Sequence, residues 1–73
     1  MPKLPALTSR KVIKLLKIHG FIEDHTTGSH IIFYHPEFKR RVTVPFHTSD
    51  LPKGTLLSIL RMAGLERDDI LKS

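Results

Sequence analysis

The 73-residue sequence contains no cysteine, and this absence excludes several classes of protein at once. Without thiols the chain has no disulfide framework, no thiol chemistry and no cysteine-based zinc finger. It also lacks any apolar run near the roughly 20 residues that a membrane-spanning helix needs. Residues 1–5 do not have the apolar core of a signal peptide. These absences together predict a soluble, cytoplasmic protein with no contact to a membrane.

The chain is also short, and its length limits what it can bind. A domain of this size buries only about 60% of the surface of its unfolded chain, which leaves no room for a deep cavity. The 40% of hydrophobic residues is still enough for a folded core. We therefore expect residues 1–73 to form one domain without a cofactor, with residues 1–7 as a loose lead-in.

The positive charge of the chain is concentrated in its first two thirds. The net charge is +5, and all of it comes from residues 1–47, where eight Lys and Arg face three acidic residues. Residues 48–73 hold four charges of each sign. A one-sided basic surface favours a polyanionic partner such as RNA, because binding to phosphates releases counterions. The alternative is an ordinary solubilising surface.

Two helices are indicated by apolar residues at helical spacing. Thr8 or Ser9 can cap the first helix, whose apolar stripe includes Val12 and Leu15 and which Gly20 ends. Residues 53–63 form a second helix with a clean apolar stripe, for which Asp50 is the expected cap and Gly64 the expected end. One or two further helical turns are predicted over residues 65–71.

Between the two helices, three short runs rich in β-branched and aromatic residues predict strands over residues 21–25, 29–35 and 40–44. Thr26, Thr27 and Gly28 form the first connection, and residues 36–39 form the second. The order α-β-β-β-α predicts an α+β fold in which both helices cover one face of a three-stranded antiparallel sheet.

The second of these strands is apolar on both of its faces. Ile31 and Phe33 point to one side, and Ile32 and Tyr34 point to the other. Alternation alone does not decide which pair lies beneath the helices. The uncovered pair is expected to form an exposed apolar patch of the kind that marks a contact surface.

The best candidate for a functional residue is His30, at the start of this strand. Gly28 and Ser29 precede it in a turn, so the strand holds the imidazole at the edge of the sheet. Histidine has an ordinary pKa of about 6.5 and can take up a proton near neutrality. Such a base can remove the 2′-hydroxyl proton of RNA, and the oxygen can then attack the neighbouring phosphorus without a metal ion. The alternative is a plain surface or hydrogen-bonded histidine.

Cleavage of RNA also needs donors to the phosphate and an acid for the leaving oxygen. Nothing in the spacing places the two acid candidates, His35 and His47, beside His30. Lys11 and Lys14 lie on the basic face of the first helix, which can follow RNA phosphates or be an ordinary solvated face. The predicted RNA-contacting residues are Gly28, Ser29, Lys11, Lys14, Lys39, Arg40, Arg41 and His47.

The five histidines raise the question of a metal site. His25, His30 and His35 are five residues apart, a spacing that alternates faces on one extended strand. A hairpin could still bring two of them together. With no cysteine and no carboxylate at ligand spacing, we expect no metal site.

At this point the chain resembles the HicA family, the small toxins of HicA–HicB toxin–antitoxin pairs. The resemblance covers nearly the whole chain and rests on blocks that occur in the order of the family. They are Gly-Phe at 20–21, Gly-Ser-His at 28–30, His-Pro at 35–36, Val-Thr-Val-Pro at 42–45, His47, and Gly-Thr-Leu-Leu-Ser-Ile-Leu-Arg-Met-Ala-Gly-Leu at 54–65.

The resemblance implies a fold like the double-stranded RNA-binding domain and an endoribonuclease that cleaves mRNA and inhibits translation. It also implies a HicB-type antitoxin as partner, and it assigns the catalytic role to the histidine of Gly-Ser-His, here His30. Two other classes of function remain open from the residues alone. One is a non-catalytic RNA-binding module of the same fold, and the other is a protein-interaction domain that uses the uncovered sheet face.

Overall fold

The computed structural model describes residues 7–46, 50–66 and 68–69. The elements follow in the order α1 (Ser9–Ile18), β1 (Ile22–Thr27), β2 (His30–His35), β3 (Arg40–Pro45) and α2 (Lys53–Ala63). The strands form one antiparallel sheet in the order β1-β2-β3. The predicted α+β architecture is therefore confirmed. No helix within the described ranges has the length and hydropathy of a membrane span.

Helix α1 begins and ends at the expected signals. The hydroxyl of Thr8 accepts a hydrogen bond from the backbone N–H of Lys11 at 3.4 Å, which caps the first turn. At the other end Gly20 has a φ of +93°, and the N–H of Phe21 donates to the carbonyl of Leu16 at 2.9 Å. This left-handed ending is the reason why Phe21 turns into the core instead of starting β1.

Strand β1 therefore lies one residue later than predicted at its start and two later at its end. The turn to β2 needs only Gly28 and Ser29, since Gly28 supplies a positive φ of +57° at the first turn position. Thr26 and Thr27, expected in the turn, consequently pair with β2. Strand β2 begins at His30 instead of Ser29, and β3 extends one residue past the prediction to Pro45.

The pattern of burial decides which face of β2 lies beneath the helices. Phe33 is fully buried and pairs with Val42, while Ile31 pairs with Val44, and both valines are also fully buried. Ile32 and Tyr34 are only half-buried and point to the opposite side. We call this opposite side, which faces away from the helices, the open face.

The core on the helix side joins both helices to the sheet. Its buried apolar members are Leu7, Val12, Leu15, Leu16, Phe21, Phe33, Val42, Val44, Leu51, Leu56, Ile59, Leu60 and Ala63. Leu7 was expected in the loose lead-in, yet it is buried, and its carbonyl accepts a hydrogen bond from the N–H of Leu51 at 2.8 Å. This bond ties the segment before α1 to the segment before α2.

Helix α2 covers the predicted residues, but its predicted cap is wrong. Pro52 occupies the N-cap position and makes no side-chain cap. Asp50 is engaged in a short antiparallel bridge with Thr8, two residues before the cap. Of the final helical turns expected over 65–71, Asp68 and Asp69 are helical, while 67 and 70–71 lie outside the described residues.

Candidate functional site

His30 lies at the first position of β2, directly after the turn of Gly28 and Ser29. It is flanked by Thr27 on β1 and Pro45 on β3, and its side chain is exposed. Within the described part of the chain, no hydrogen bond holds its imidazole. The ring is therefore supported by a three-stranded sheet and remains available to a ligand in solvent.

The open face around His30 carries a mixed polar and apolar surface. Paired residues of neighbouring strands point to the same side of a sheet, so the strand register defines the members of this face. They are Ile22, His25 and Thr27 on β1, His30, Ile32 and Tyr34 on β2, and Arg41, Thr43 and Pro45 on β3. Ile22 is 55% exposed. The predicted apolar patch is thus present but is interrupted by titratable and cationic side chains.

An ion-pair network on this face joins β1 to β3. The carboxylate of Asp24 accepts hydrogen bonds from Nδ1 of His25 at 2.8 Å and from Nη1 of Arg41 at 3.1 Å. The Arg41 guanidinium also lies 4.9 Å from the centre of the Tyr34 ring, within cation–π range. The hydrogen bonds from His25 and then Arg41 hold the pKa of Asp24 below its ordinary value.

The predicted basic contacts do not all lie near His30. Arg40 pairs with His35 at the other end of β2, five residues or roughly 16 Å from His30. Its Nη1 donates to the carbonyl of Met62 at 3.4 Å, on the helix side. Lys39 precedes it in the turn. Arg41 shares the open face with His30 but lies four residues away along the sheet, roughly 13 Å.

The start of helix α1 does lie at the same end of the sheet as His30. Ser9 is buried, and its hydroxyl donates at 2.7 Å to the carbonyl of Pro45, the strand partner of His30. Lys11 is exposed in the first turn that follows, and Lys14 is exposed about one turn further along the helix. These lysines extend the positive charge around this end of the molecule.

The family comparison gives the site its context. Residues 9–65 match the family model described as the HicA toxin of bacterial toxin–antitoxin, which is most of the chain. The chain belongs to the HicA toxin family. None of the curated proteins compared with the chain matches it. Family membership gives the chain the role of a toxin and implies a cognate antitoxin as its partner.

The structure of this HicA-family chain describes only one of the two acid candidates. His47 lies outside the described residues. His35 is only 6% exposed, and both of its ring nitrogens are engaged: Nδ1 accepts from the N–H of Phe38 at 3.1 Å, and Nε2 donates to the carbonyl of His19 at 3.0 Å. Its ring lies on the helix side, so His35 is not available to a ligand bound at His30.

A side chain that the sequence analysis did not select as an acid, His25, lies nearer to His30 on the sheet than His35 does. His25 pairs with Ile32 and Thr27 pairs with His30, so the two histidines are diagonal neighbours on the open face. The signal in the sequence was the turn: a two-residue connection of Gly28 and Ser29 pairs Thr27 with His30 and so makes residues 25 and 30 share a face.

No metal cage accompanies His30 among the described residues. In the ranges that the structure describes, no three His, Asp or Glu side chains are grouped as metal ligands. A concavity of about 260 Å³ lies at the opposite end of the sheet, where His35, Phe38 and Arg40 contribute to its lining. The surface at His30 is open, and an open surface suits a polymer that passes across it.

Proposed function

We propose that this HicA-family toxin is a metal-independent endoribonuclease that cleaves mRNA in the cytoplasm and so inhibits translation, with His30 as the general base. The observation that carries the proposal is the exposed imidazole of His30 at the end of a strand on the open face, where none of the described residues forms a hydrogen bond with the ring. The family role of a toxin agrees with an activity that stops growth.

The chemistry starts from the nucleophile that RNA itself carries. His30 removes the proton of a 2′-hydroxyl, and the 2′-oxygen attacks the adjacent phosphorus. Negative charge grows on the phosphate oxygens, and the turn before His30 offers donors to them in the backbone amides of Gly28 and Ser29 and the Ser29 hydroxyl. The bond to the 5′-oxygen breaks, which leaves a 2′,3′-cyclic phosphate and a 5′-hydroxyl.

Positive charge on the open face, and on the helix side at the His30 end of the sheet, supports RNA as the substrate. Lys11 and Lys14 lie on α1, which begins at the His30 end, and Arg41 is on the open face itself. Lys39 and Arg40 are too far from His30 for the reacting phosphate, so we assign them to flanking phosphates. His47 stays a predicted contact because it lies outside the described residues.

The antitoxin partner is proposed to act on the same face. A HicB-type protein that covers the half-buried Ile32 and Tyr34 and the exposed Ile22 buries apolar surface and blocks His30 in one step. No cofactor is needed for this scheme. The apolar part of the open face also supports the second candidate function, a protein-interaction domain without any activity on RNA.

One incubation tests the proposal. The purified chain is mixed with end-labelled RNA in the presence of EDTA, and the fragments are separated on a denaturing gel. We expect cleavage with 2′,3′-cyclic phosphate ends, and we expect His30→Ala to lower the rate by about 10²- to 10⁴-fold, the usual contribution of general acid–base catalysis. His19→Ala, a change at the other end of the molecule, is the matched control and should cleave normally.

Each failure of this experiment has a distinct meaning. Fragments with 3′-hydroxyl ends indicate attack by water and remove the 2′-hydroxyl mechanism. Salt-dependent binding with intact RNA indicates a non-catalytic RNA-binding module. No binding at low salt leaves the protein-interaction domain. Normal cleavage by His30→Ala removes His30 from the reaction.

A further inference from the structure

We propose that His25 is the general acid of the same reaction and that Asp24 positions it. The inference rests on the proposed nuclease activity of His30 and adds the group that protonates the leaving 5′-oxygen. It is carried by the strand register on the open face and by the hydrogen bond between Asp24 and His25.

The register places the two imidazoles at a distance suited to one phosphodiester. His25 stands opposite Ile32, and His30 is two residues from Ile32 on β2, with both side chains on the open face. Such diagonal neighbours have Cα atoms about 7–8 Å apart, and ring side chains can reach across that gap. Because the attacking and leaving oxygens lie on opposite sides of the phosphorus, an acid and a base need to approach it from two directions.

The bulge in β1 provides the support for His25. The register shifts between Glu23 and His25, which brings Asp24 and His25 together opposite β2. The Asp24 carboxylate accepts from Nδ1 of His25 at 2.8 Å, so the ring offers its remaining nitrogen, Nε2, to a ligand. Arg41 donates to the same carboxylate oxygen at 3.1 Å and fixes it from the third strand.

The charged and titratable groups that face His25 can be named in full for the described strands. They are Asp24 on β1, His30 and Tyr34 on β2, and Arg41 on β3. Both helices pack on the opposite side of the sheet. Asp24, held in its ionised form by His25 and Arg41, is the acidic group among them, and it is the one bonded to His25.

The step balances without any further reactant. His30 takes the proton of the 2′-hydroxyl while the bond between the 2′-oxygen and phosphorus forms. The bond between phosphorus and the 5′-oxygen breaks, and the 5′-oxygen takes the Nε2 proton of a doubly protonated His25. Afterwards His30 gives a proton to water and His25 takes one from water, so the enzyme is restored.

A pair of substrates separates acid catalysis from every other role of His25. One is ordinary RNA, and the other carries sulfur in place of the 5′-oxygen at the cleaved bond. A thiolate leaves without protonation, so the sulfur substrate does not need an acid. We expect the cleavage rate of His25→Ala on ordinary RNA to fall by about 10²-fold or more. On the sulfur substrate its rate should stay within a few-fold of that of the unmodified chain.

Three further variants complete the design. His30→Ala should be slow on both substrates, because both need the base. His25→Gln can still donate a hydrogen bond to Asp24 but cannot transfer a proton, so it should behave like His25→Ala; recovery of activity in His25→Gln overturns the acid role. Asp24→Asn should lower the cleavage rate less than His25→Ala does, and again only on ordinary RNA. A merely structural role for Asp24 predicts that the rate falls equally on both substrates.

The failure of this inference is distinguishable from the failure of the proposed function. If the unmodified chain cleaves neither substrate, the nuclease activity itself is wrong. Suppose instead that the unmodified chain cleaves both substrates. If His25→Ala then lowers the cleavage rate equally on both substrates, or on neither, the acid role of His25 is wrong while the role of His30 stands.

Discussion

Two histidines of strand β2, only five residues apart, have opposite environments. His30 is exposed on the open face, and no hydrogen bond within the described residues holds its ring. His35 is buried on the helix side, with one ring nitrogen accepting from Phe38 and the other donating to His19. An odd spacing on a strand puts two side chains on opposite faces, so the register alone separates a reactive position from a structural one.

The surroundings of His35 show what a structural histidine contributes. Its ring stacks on Phe38 with centroids 4.5 Å apart and meets Phe21 edge-on at 5.0 Å. The hydrogen bond to His19 joins β2 to the end of α1, at the point where Gly20 reverses the chain. His35 thus connects a strand, a helix end and a turn, whereas the His30 ring forms no hydrogen bond or ring contact with the described residues.

The largest expected effect on stability comes from His35→Ala. The change removes two hydrogen bonds, leaves the carbonyl of His19 and the N–H of Phe38 without their partners, and opens a cavity between two aromatic rings. We expect the free energy of unfolding to fall by about 2–4 kcal/mol. His30→Ala, at an exposed position, should change it by no more than about 0.5 kcal/mol.

Urea unfolding of the two variants measures this difference, and equal slopes of free energy against urea concentration validate the comparison. If the free energy of unfolding falls by a similar amount in both variants, the division of β2 into a structural end at His35 and a reactive end at His30 is wrong. If the free energy of unfolding falls in neither variant, water replaces the hydrogen bonds of His35 at little cost in stability.

The sequence predicted the elements and their architecture well, but not which face of β2 the helices cover. Apolar periodicity and Gly20 and Gly64 identify both helices, because these signals are local. Which face of β2 is covered depends on contacts with helices far away in sequence, and alternation has the same form on either side. The three-residue turn expected at 26–28 likewise hid the pairing that brings His25 next to His30.

The second prediction concerns Gly20, which lies against His35. A Cβ built on Gly20 comes 2.7 Å from Nε2 of His35, the atom bonded to His19, and the φ of +93° is itself unfavourable for alanine. Gly20→Ala should therefore lower the free energy of unfolding by about 1–3 kcal/mol. The urea midpoint of the variant measures this loss.

Two other glycines separate the contributions to that loss. Gly28 has a φ of +57° but open space around its Cα, so Gly28→Ala isolates the backbone strain, about 1–2 kcal/mol. Gly54 lies in α2 with neither constraint, and Gly54→Ala should stabilise the chain by about 0.5–1 kcal/mol. If Gly20→Ala lowers the free energy of unfolding by no more than Gly28→Ala does, the contact of residue 20 with His35 is not a tight one.

The smallest expected effect belongs to the open face. The pKa of Asp24 is lowered from 3.8 by its hydrogen bonds to His25 and Arg41. A depressed carboxyl pKa stabilises the fold at pH values above the ordinary value, and this contribution disappears as the pH falls through the lowered value. The side chain of Asp24 lies at the surface, so salt screens the pairs and the contribution is small.

The free energy of unfolding, measured from neutral to acidic pH, tests the direction of this pH dependence. Asp24→Asn should be slightly less stable than the unmodified chain near neutrality, and the difference should vanish in acid and shrink at high salt. Glu23→Gln removes the same charge from the neighbouring position of β1, where the described residues form no ion pair with Glu23, and serves as the control. A loss in Asp24→Asn as large as that of His35→Ala contradicts the comparison, because the open face would then stabilise the fold as strongly as the helix side. A small loss leaves Asp24 and Arg41 free to be arranged for a ligand, since the fold does not depend on them.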